Sequence, residues 1–418
     1  MNTLVEAAFP RRLGRSFRWL VTSSWTSNLG DGIALAAGPL LVAAQTESAF
    51  LVALAAMLQR LPWLLLGLWA GALADRLDRR LVVIIANLIR ALVITILCVF
   101  IGTGTVNIAM VLTAMFLYGV AEVFADTTQQ TLLPTLVRPA DLGAGNQRLQ
   151  AGFLVANQLG GPPLGAFLFA AGMVWPFVAQ VVCVVLAVVL VSRIAAPPGT
   201  SFATVRSSDS HVRRDIAEGL RWVWHHAAVR TLCIVILVFN ITWAAPWGVL
   251  VKYSLDHLQM SEVGYGLLTT AAGVGGAVGV LAYGWLERHM NLATLIRVCL
   301  TLEVLTHGAF ALTTTGWVAI ALMFEFGVYA FVWGTLSTTI RQRAVPQEFQ
   351  GRVASINMIC VFGGLVLGQG IGGVIAEHWG LVAPWWFAFG GAGLTLLLVW
   401  RSLSHVAHAG SATELGQG

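Results

Sequence analysis

Two long apolar runs, Leu51–Ala70 and Leu81–Ile101, lie on either side of a short polar segment, and this alternation limits the folds open to the chain. An α-helix of about 20 residues, rising about 1.5 Å per residue, crosses the hydrocarbon core of a bilayer. The segment between the runs, Gly71–Arg80, reads Gly-Ala-Leu-Ala-Asp-Arg-Leu-Asp-Arg-Arg. Asp75–Arg80 is therefore predicted to be a tight loop at a membrane surface. Its arginines predict that this surface is cytoplasmic.

The same alternation continues along the whole chain. Of its 418 residues, 57% are hydrophobic and 10% are charged, whereas soluble proteins carry about 25% charged residues. The first apolar run is too long for the core of a signal peptide, so we expect no cleavable leader. The composition predicts an all-α membrane protein with twelve transmembrane helices. Their predicted limits are 18–45, 50–73, 81–102, 107–128, 150–171, 173–195, 229–254, 264–286, 291–314, 317–340, 351–376 and 380–402.

The basic residues alternate between loops. Of the 24 Lys and Arg residues, all except Arg60, Arg90 and Lys252 lie in or beside every second loop, counted from the N-terminus. The positive-inside rule then predicts that both termini are cytoplasmic, and that the protein lies in a bacterial plasma membrane as a multi-pass protein. Because topology accounts for the positive charge, we expect no nucleic-acid partner.

The chain divides near its middle. The longest predicted loop, 196–228, contains Ile216, Leu220 and Val223 on one helical face, which predicts an amphipathic helix on the inner membrane surface. Short patterns before this loop recur after it at a constant offset, as Gly161 and Gly165 do at Gly368 and Gly372. We therefore predict two six-helix halves. The predicted domains are 1–195, the linker 196–228, 229–402 and a cytoplasmic tail, 403–418.

The polar segment after the second span resembles the loop motif of the major facilitator superfamily. The matching positions are Gly71, Asp75, Arg76, Arg79 and Arg80, and Asp78 stands where the motif usually has glycine. The resemblance implies the major facilitator fold, with these five residues as a conformational latch. The alternative is a basic loop that only sets topology. Three further segments are similar to the enterobactin-exporter-like and multidrug-efflux branch of this superfamily. They are Ile216–Trp224, Val229–Leu232 and Gly30–Gly32.

A second motif lies in the fifth span. Gly161, Pro162, Pro163 and Gly165 resemble the Gly-Pro motif of exporters in this superfamily, which implies outward transport. Paired prolines kink a helix and glycines permit close packing. The alternative is a kink with a structural role alone.

Charged residues inside predicted spans are the candidates for proton coupling and substrate binding, since each costs about 2.5–3.5 kcal/mol at mid-bilayer. They are Asp31, Arg60, Arg90, Glu122 and Glu325. Asp31 is the first choice for protonation, with a salt bridge to Arg60 as the structural alternative. Arg90 is a candidate partner for Glu122 or for Asp126, one turn further along, which could also simply be solvated. Proton antiporters of the family often have arginine where this chain has Met115.

Aromatic residues form a further candidate group. Those predicted to line a cavity are Trp25, Trp243, Trp247, Tyr329 and Trp333. Such rings suit lipophilic cations through cation–π contacts, although aromatic stripes more often reflect packing. Glu303 and His307, four residues apart on the ninth span, are expected to be a structural pair.

These observations predict a transporter and not an enzyme. The chain has no nucleotide-binding Gly-Lys-Ser/Thr loop and no zinc motif, so no cofactor or metal is expected. The predicted function is secondary active export of lipophilic or amphipathic small molecules, such as drug-like compounds or a siderophore-like metabolite, by proton antiport with alternating access. The alternatives are a proton-coupled uptake symporter, or a lipid-handling or receptor protein without ion coupling. The expected partners are the substrate, protons and the lipid bilayer, and the protein is expected to be a monomer.

Overall fold

The computed structural model describes residues 13–74, 77–195 and 212–407, and within these ranges the chain forms helices joined by short turns. The first part contains α1 (Arg15–Gln45), α2 (Ala49–Ala74), α3 (Arg79–Gly102), α4 (Ile108–Leu136), α5 (Pro139–Ala171) and α6 (Trp175–Val191). After α7 (Val212–His225) come α8 (Ala227–Trp247), α9 (Glu262–His289), α10 (Leu292–Leu312), α11 (Gly316–Ala344), α12 (Gln347–Trp379), α13 (Ala383–Val399) and α14 (Ser402–Ala407).

Ten helices of the described chain are long and apolar enough to cross a membrane. The two helices α6 and α13 are equally apolar but have 17 residues each. Membrane embedding is also indicated by the surface of α3, where Leu88, Leu92, Ile96 and Val99 are each about half exposed at helical spacing. A stripe of exposed aliphatic side chains of this kind is suited to contact with lipid.

Polar caps and glycines fix where several helices begin and end. The side chains of Asp78, Asn107 and Asn291 each accept a hydrogen bond from a backbone N–H in the first turn of α3, α4 and α10. Gly172 and Gly380, with φ of 157° and 86°, end α5 and α12. Both positions favour glycine, because side chains rarely tolerate this backbone conformation. The same kind of helix end therefore occurs in both parts of the chain.

Several predicted helix limits were wrong. The helix predicted to end at 128 continues to Leu136, and the helix predicted to start at 150 starts at Pro139. These extensions mix polar residues with a few leucines, such as the buried Leu132, so the hydrophobicity pattern does not mark them as part of a span. The helix predicted over 229–254 is broken after Trp247, because Pro246 interrupts its hydrogen bonding, and a π-helical turn follows at Tyr253–His257.

The described chain packs as two compact units. The first contains α1, α3–α6 and parts of α2 and α9, and the second contains the remaining helices. The core of the first unit is built on Phe17, Leu20, Val83 and Leu132. The core of the second unit joins α8, α10, α11 and α13 through residues such as Ile296 and Leu336.

The predicted amphipathic helix is present as α7, but its orientation differs from the prediction. Val223 is 4% exposed and packs, with Ile216, against Val353 of α12. Leu220, predicted on the same face, is 54% exposed. The face of α7 that carries Ile216 and Val223, its inner face, is thus covered by other residues of the second unit.

Candidate functional site

Asp31 lies at a close helix contact of the first unit, where α1 meets α5. A Cβ atom added to Gly32 would lie 2.6 Å from the carbonyl oxygen of Asn157, and one on Gly161 would lie 2.5 Å from the backbone of Gly32. A Cβ on Gly165 would collide with the carbonyl of Ile33. Backbone packs directly on backbone here, as small residues permit. This contact fixes the depth and direction of Asp31.

The counter-ion of Asp31 is Arg90 on α3. Arg90 is completely buried, and its guanidinium forms an ion pair with the Asp31 carboxylate. It also donates to the side-chain oxygen of Asn87, at 2.8 Å, and to the hydroxyl of Ser27, at 3.4 Å. A buried guanidinium is tolerated when its charge is paired and its donors are bonded.

Tyr118 on α4 joins the two charges. Its hydroxyl donates to the Asp31 carboxylate and accepts from Arg90. Gln180 on α6 donates to the Tyr118 hydroxyl oxygen at 3.0 Å. The guanidinium carbon of Arg90 lies 4.8 Å from the centre of the Tyr118 ring. We call this group of side chains the Asp31 network; it comprises Ser27, Asp31, Asn87, Arg90, Tyr118 and Gln180.

The Asp31 network opens on one side to a cavity of about 700 Å³. The Asp31 side chain is 13% exposed, whereas Arg90 is completely buried and Tyr118 is almost so. The cavity walls carry mostly hydroxyl, amide and carboxyl groups. Its lining is Ser24, Ser27, Asn28, Asp31, Asp126, Gln129, Gln130, Asn146, Gln147, Leu149, Gln150 and Phe153.

Two further carboxylates surround the same arginine. Glu122 and Asp126, one turn apart on α4, both interact electrostatically with Arg90. Asp126 also lines the cavity. The salt bridge of Asp31 is formed with Arg90 and not with Arg60, the partner considered as the structural alternative; Arg60 lies on α2 within the second unit. Arg90 is thus paired with Asp31 and lies in the electrostatic field of two further carboxyl groups.

The exporter-like motif produces a π-helical turn, Phe153–Gly160, beside this site. Pro162 and Pro163 have no N–H to donate, so regular hydrogen bonding cannot continue through them. The N–H of Gly161 instead bonds to the carbonyl of Ala156, five residues back. Such turns occur often at functional sites. Here the turn supplies Phe153 to the cavity wall and Asn157 to the contact with Gly32.

The predicted aromatic residues of the second unit form a cluster with Phe326. The rings of Trp243 and Trp247 stack with centres 4.5 Å apart, and Phe326 lies 5.7 Å and 5.1 Å from them. Tyr329 meets the edge of Phe326 at 5.6 Å. Glu325 precedes Phe326 on α11, and Trp333 packs against the apolar core of the unit. The sequence interpretation missed Phe326, although it lies three residues before Tyr329.

Trp25 stabilises the contact between α1 and α5. Its indole N–H donates to the carbonyl of Arg148 at 2.9 Å, and its ring lies directly over Gly152. Its neighbour Ser24 faces the cavity. Trp25 itself is therefore placed against α5, with the cavity lined by the residues around it.

The structure describes only part of the loop motif, Gly71–Arg80. Gly71 lies near the end of α2, and Asp75 and Arg76 fall outside the described residues. Arg79 donates to the carbonyl of Thr131 at 3.3 Å, and Arg80 donates to that of Ser192. Both arginines thus connect the start of α3 to other helices of the first unit. Asp78, at the position where the motif usually has glycine, caps α3 by accepting from the N–H of Leu81.

Sequence reasoning missed all four neutral members of the Asp31 network. Asn87 could have been found, because it lies one helical turn before Arg90 in an otherwise apolar run. Tyr118 and Gln180 are isolated polar residues on separate helices, and no local pattern connects them to Asp31. Within the described residues, no group of three or more His, Cys, Asp or Glu side chains could hold a metal ion.

The described chain combines apolar helices of membrane-spanning length with a buried ion pair beside a polar cavity, an arrangement expected in a membrane transporter. Buried charges of this kind mark substrate and proton pathways in such proteins. Residues 9–412 match the family described as transmembrane secretion effector. The chain belongs to this family and is a major facilitator superfamily transporter of the efflux branch. It is accordingly a multi-pass bacterial membrane protein.

Relatives and solved structures agree with this assignment. The multidrug efflux pump Tap of Mycolicibacterium fortuitum is 29% identical over 381 residues, which cover 87% of this chain and 90% of Tap. Macrolide efflux protein A of Streptococcus pyogenes is 23% identical over 357 residues, covering 81% and 85%. A bacterial homologue of the iron transporter ferroportin, in an inward-facing state, superposes with a TM-score of 0.76 at 18% identity, covering 93% and 98%. This last likeness concerns the fold alone.

Proposed function

We propose that this efflux transporter is a proton antiporter, and that Asp31 is the group that exchanges protons. The observation that carries the proposal is the Asp31 network, in which one carboxylate faces both a buried guanidinium and a polar cavity. A carboxylate in this position has two alternative partners, Arg90 and a proton that arrives through the cavity. Movement of Asp31 between them would link proton binding to a change in the packing of α1, α3 and α4.

The cavity wall favours a substrate that is cationic and has several hydrogen-bonding groups. Asp31 and Asp126 supply negative charge, and Asn28, Gln129 and Gln150 supply amide donors and acceptors. Within the second unit, the aromatic cluster is a separate candidate surface for flat lipophilic cations, through cation–π contacts. Lipophilic or amphipathic cations are therefore the substrate class that we propose. The naming of one relative as a multidrug pump and of another as a macrolide exporter supports this class of substrate.

The remaining sequence predictions complete the proposal. We propose twelve spans, α1–α6 and α8–α13, with both termini cytoplasmic and α7 in the linker between two halves. Gly71, Asp75, Arg76, Arg79 and Arg80 stay the proposed latch for alternating access. Glu122 and Glu325 are proposed to relay protons or to contact substrate. The protein is proposed to act as a monomer.

Transport by purified protein in liposomes tests the proposal. An inside-acid pH gradient is imposed, and uptake of a fluorescent lipophilic cation is compared between the wild type and Asp31→Asn. We expect gradient-dependent uptake in the wild type and its loss in the variant, because asparagine accepts hydrogen bonds from Arg90 but binds no proton. The matched control is Glu348→Gln, a carboxyl-to-amide change at an exposed position. Equal gradient-driven uptake by wild type and Asp31→Asn would remove Asp31 from the coupling mechanism.

A further inference from the structure

The outer face of α7 combines exposed apolar and basic side chains. Trp224 is 65% exposed and Leu220 is 54% exposed, one helical turn apart. Arg221 is exposed beside them, and Arg230 lies in the first turn of α8. Because α7 is not among the helices of membrane-spanning length, a lipid-facing span does not account for these exposed apolar side chains. This group, Leu220, Arg221, Trp224 and Arg230, is the outer patch of α7.

The inner face of α7 is held in place, so the outer patch cannot turn inward. Trp222 stacks on Phe349 with ring centres 5.5 Å apart and on His226 at 3.6 Å. Glu218 pairs with Arg352 at 3.1 Å. A Cβ added to Gly219 would lie 3.0 Å from the carbonyl oxygen of Arg352, so the helix lies directly on α12. These contacts fix the rotation of α7 about its axis.

Arg230 fixes the exposed indole. Its guanidinium donates to the carbonyl of Trp224 at 2.6 Å, and its central carbon lies 5.6 Å from the indole ring centre. Because Glu218 is engaged by Arg352, the outer patch presents the two positive charges of Arg221 and Arg230. α8, a membrane-spanning helix, begins at Ala227, three residues after Trp224. The patch therefore lies at the end of a membrane span.

We propose that the outer patch of α7 binds the headgroups of anionic phospholipids. Tryptophan is enriched at the membrane–water interface, where Trp224 and Leu220 would enter the acyl boundary. Arg221 and Arg230 would pair with lipid phosphate, which guanidinium groups bind through two parallel hydrogen bonds. The linker helix would then be attached to the second unit by its inner face and to the lipid surface by its outer face.

Native mass spectrometry of the full-length protein, titrated with phosphatidylglycerol or with phosphatidylcholine, tests this proposal. The variant is Arg221→Gln with Trp224→Ser, which leaves Arg230 in place. The control is Arg138→Gln, which removes an 83% exposed arginine elsewhere. We expect about fivefold or greater weakening of phosphatidylglycerol binding in the variant, since one basic residue at an anionic surface contributes about that factor. The control should bind as the wild type does.

Hydrogen exchange in nanodiscs supplies a second measurement. Amides of 216–226 should exchange more slowly in phosphatidylglycerol than in phosphatidylcholine discs, and this difference should vanish in the double variant. Unchanged phosphatidylglycerol binding by the variant, or equal weakening in the Arg138→Gln control, would overturn the proposal. Both measurements are independent of proton coupling.

Discussion

Arg90 holds a full positive charge in the interior of the first unit, where water cannot solvate it. Its stability there depends on Asp31, Tyr118, Asn87 and Ser27, which between them satisfy its charge and most of its donors. Breaking a buried ion pair from one side costs about 3–5 kcal/mol, because the remaining charge has no partner. Replacing both members by neutral groups avoids most of that penalty.

This asymmetry predicts the result of a double-mutant cycle. Arg90→Gln and Asp31→Asn should each lower the free energy of unfolding, and the double variant should be less destabilised than the sum, by about 2 kcal/mol or more. Unfolding in detergent, followed by circular dichroism, measures all four proteins. Additive effects would show that the two residues do not interact in the folded protein.

Tyr118 offers a milder test of the same network. Tyr118→Phe keeps the ring but removes a hydroxyl that bonds to Asp31, Arg90 and Gln180. Hydrogen bonds to charged groups contribute about 1.5–3 kcal/mol, so we expect a stability loss of that size. The control is Tyr283→Phe, since the buried Tyr283 hydroxyl bonds to no described residue. A thermal shift as small as that of the control would contradict the assigned role.

At this scale the sequence indicated which charges matter but not how they pair. Asp31 and Arg90 were both identified, because a charge within an apolar run is conspicuous. Arg60 was considered as an alternative partner of Asp31 because of its similar depth along a neighbouring span, and depth alone cannot distinguish Arg60 from Arg90. Which face of each helix is turned toward α1 decides the matter, and that depends on packing by residues distant in sequence.

Among the elements, the contact between α1 and α5 determines the geometry of the site. A Cβ atom at position 32 would separate the two backbones, and overpacking of this kind costs about 1–3 kcal/mol. We expect Gly32→Ala to lower the melting temperature and to abolish transport. Gly143→Ala on α5 is the matched control, because a Cβ atom there has no neighbour within 4 Å.

The control should be neutral or slightly stabilising, since alanine favours helix over glycine by about 1 kcal/mol. Both proteins are measured by thermal unfolding and by cation uptake in liposomes. Wild-type stability and transport in Gly32→Ala would show that α1 and α5 are not in backbone contact.

The π-helical turn is a second element whose origin can be tested. Replacing Pro162 and Pro163 by alanine restores two N–H donors, so the helix can return to regular hydrogen bonding. We expect Phe153–Gly160 to shift in register and Phe153 to leave the cavity wall, with a fall in transport of at least several-fold. Pro134→Ala, at the last turn of α4, is the control. A π-helical turn that persists in an experimental structure of the variant would contradict this origin.

Hydrophobicity predicted most of the helices, but it did not predict where they end. The helices α4 and α5 extend into polar sequence that carries no apolar signal, and the π-helical turn gives no signal other than two prolines. Leu220 was assigned to the buried face of α7 because it shares a helical face with Val223. Contacts with α12 are made by residues 216, 218, 219, 222 and 223, so the buried face of α7 is turned away from Leu220.

For the whole molecule, the distribution of arginine predicts topology. A green fluorescent protein fused to either terminus should fluoresce, and alkaline phosphatase fused to the C-terminus should be inactive, because both termini are expected in the cytoplasm. Phosphatase fused after Thr314, between α10 and α11, should be active. An active C-terminal phosphatase fusion, together with a fluorescent N-terminal fusion, would exclude an even number of spans.

The one-sided exposure of Asp31 has a pharmacological consequence. Tyr118 and Arg90 cover the carboxylate from within, so a small molecule can approach it from the cavity alone. A blocker with an amine at one end could occupy that approach without entering the protein core. Its effect would be to stop the pump with the carboxylate still paired to Arg90. Compounds that block transport could therefore be sought by fitting an ammonium group against Asp31 and Asp126, with amide-binding groups toward Gln129 and Gln150.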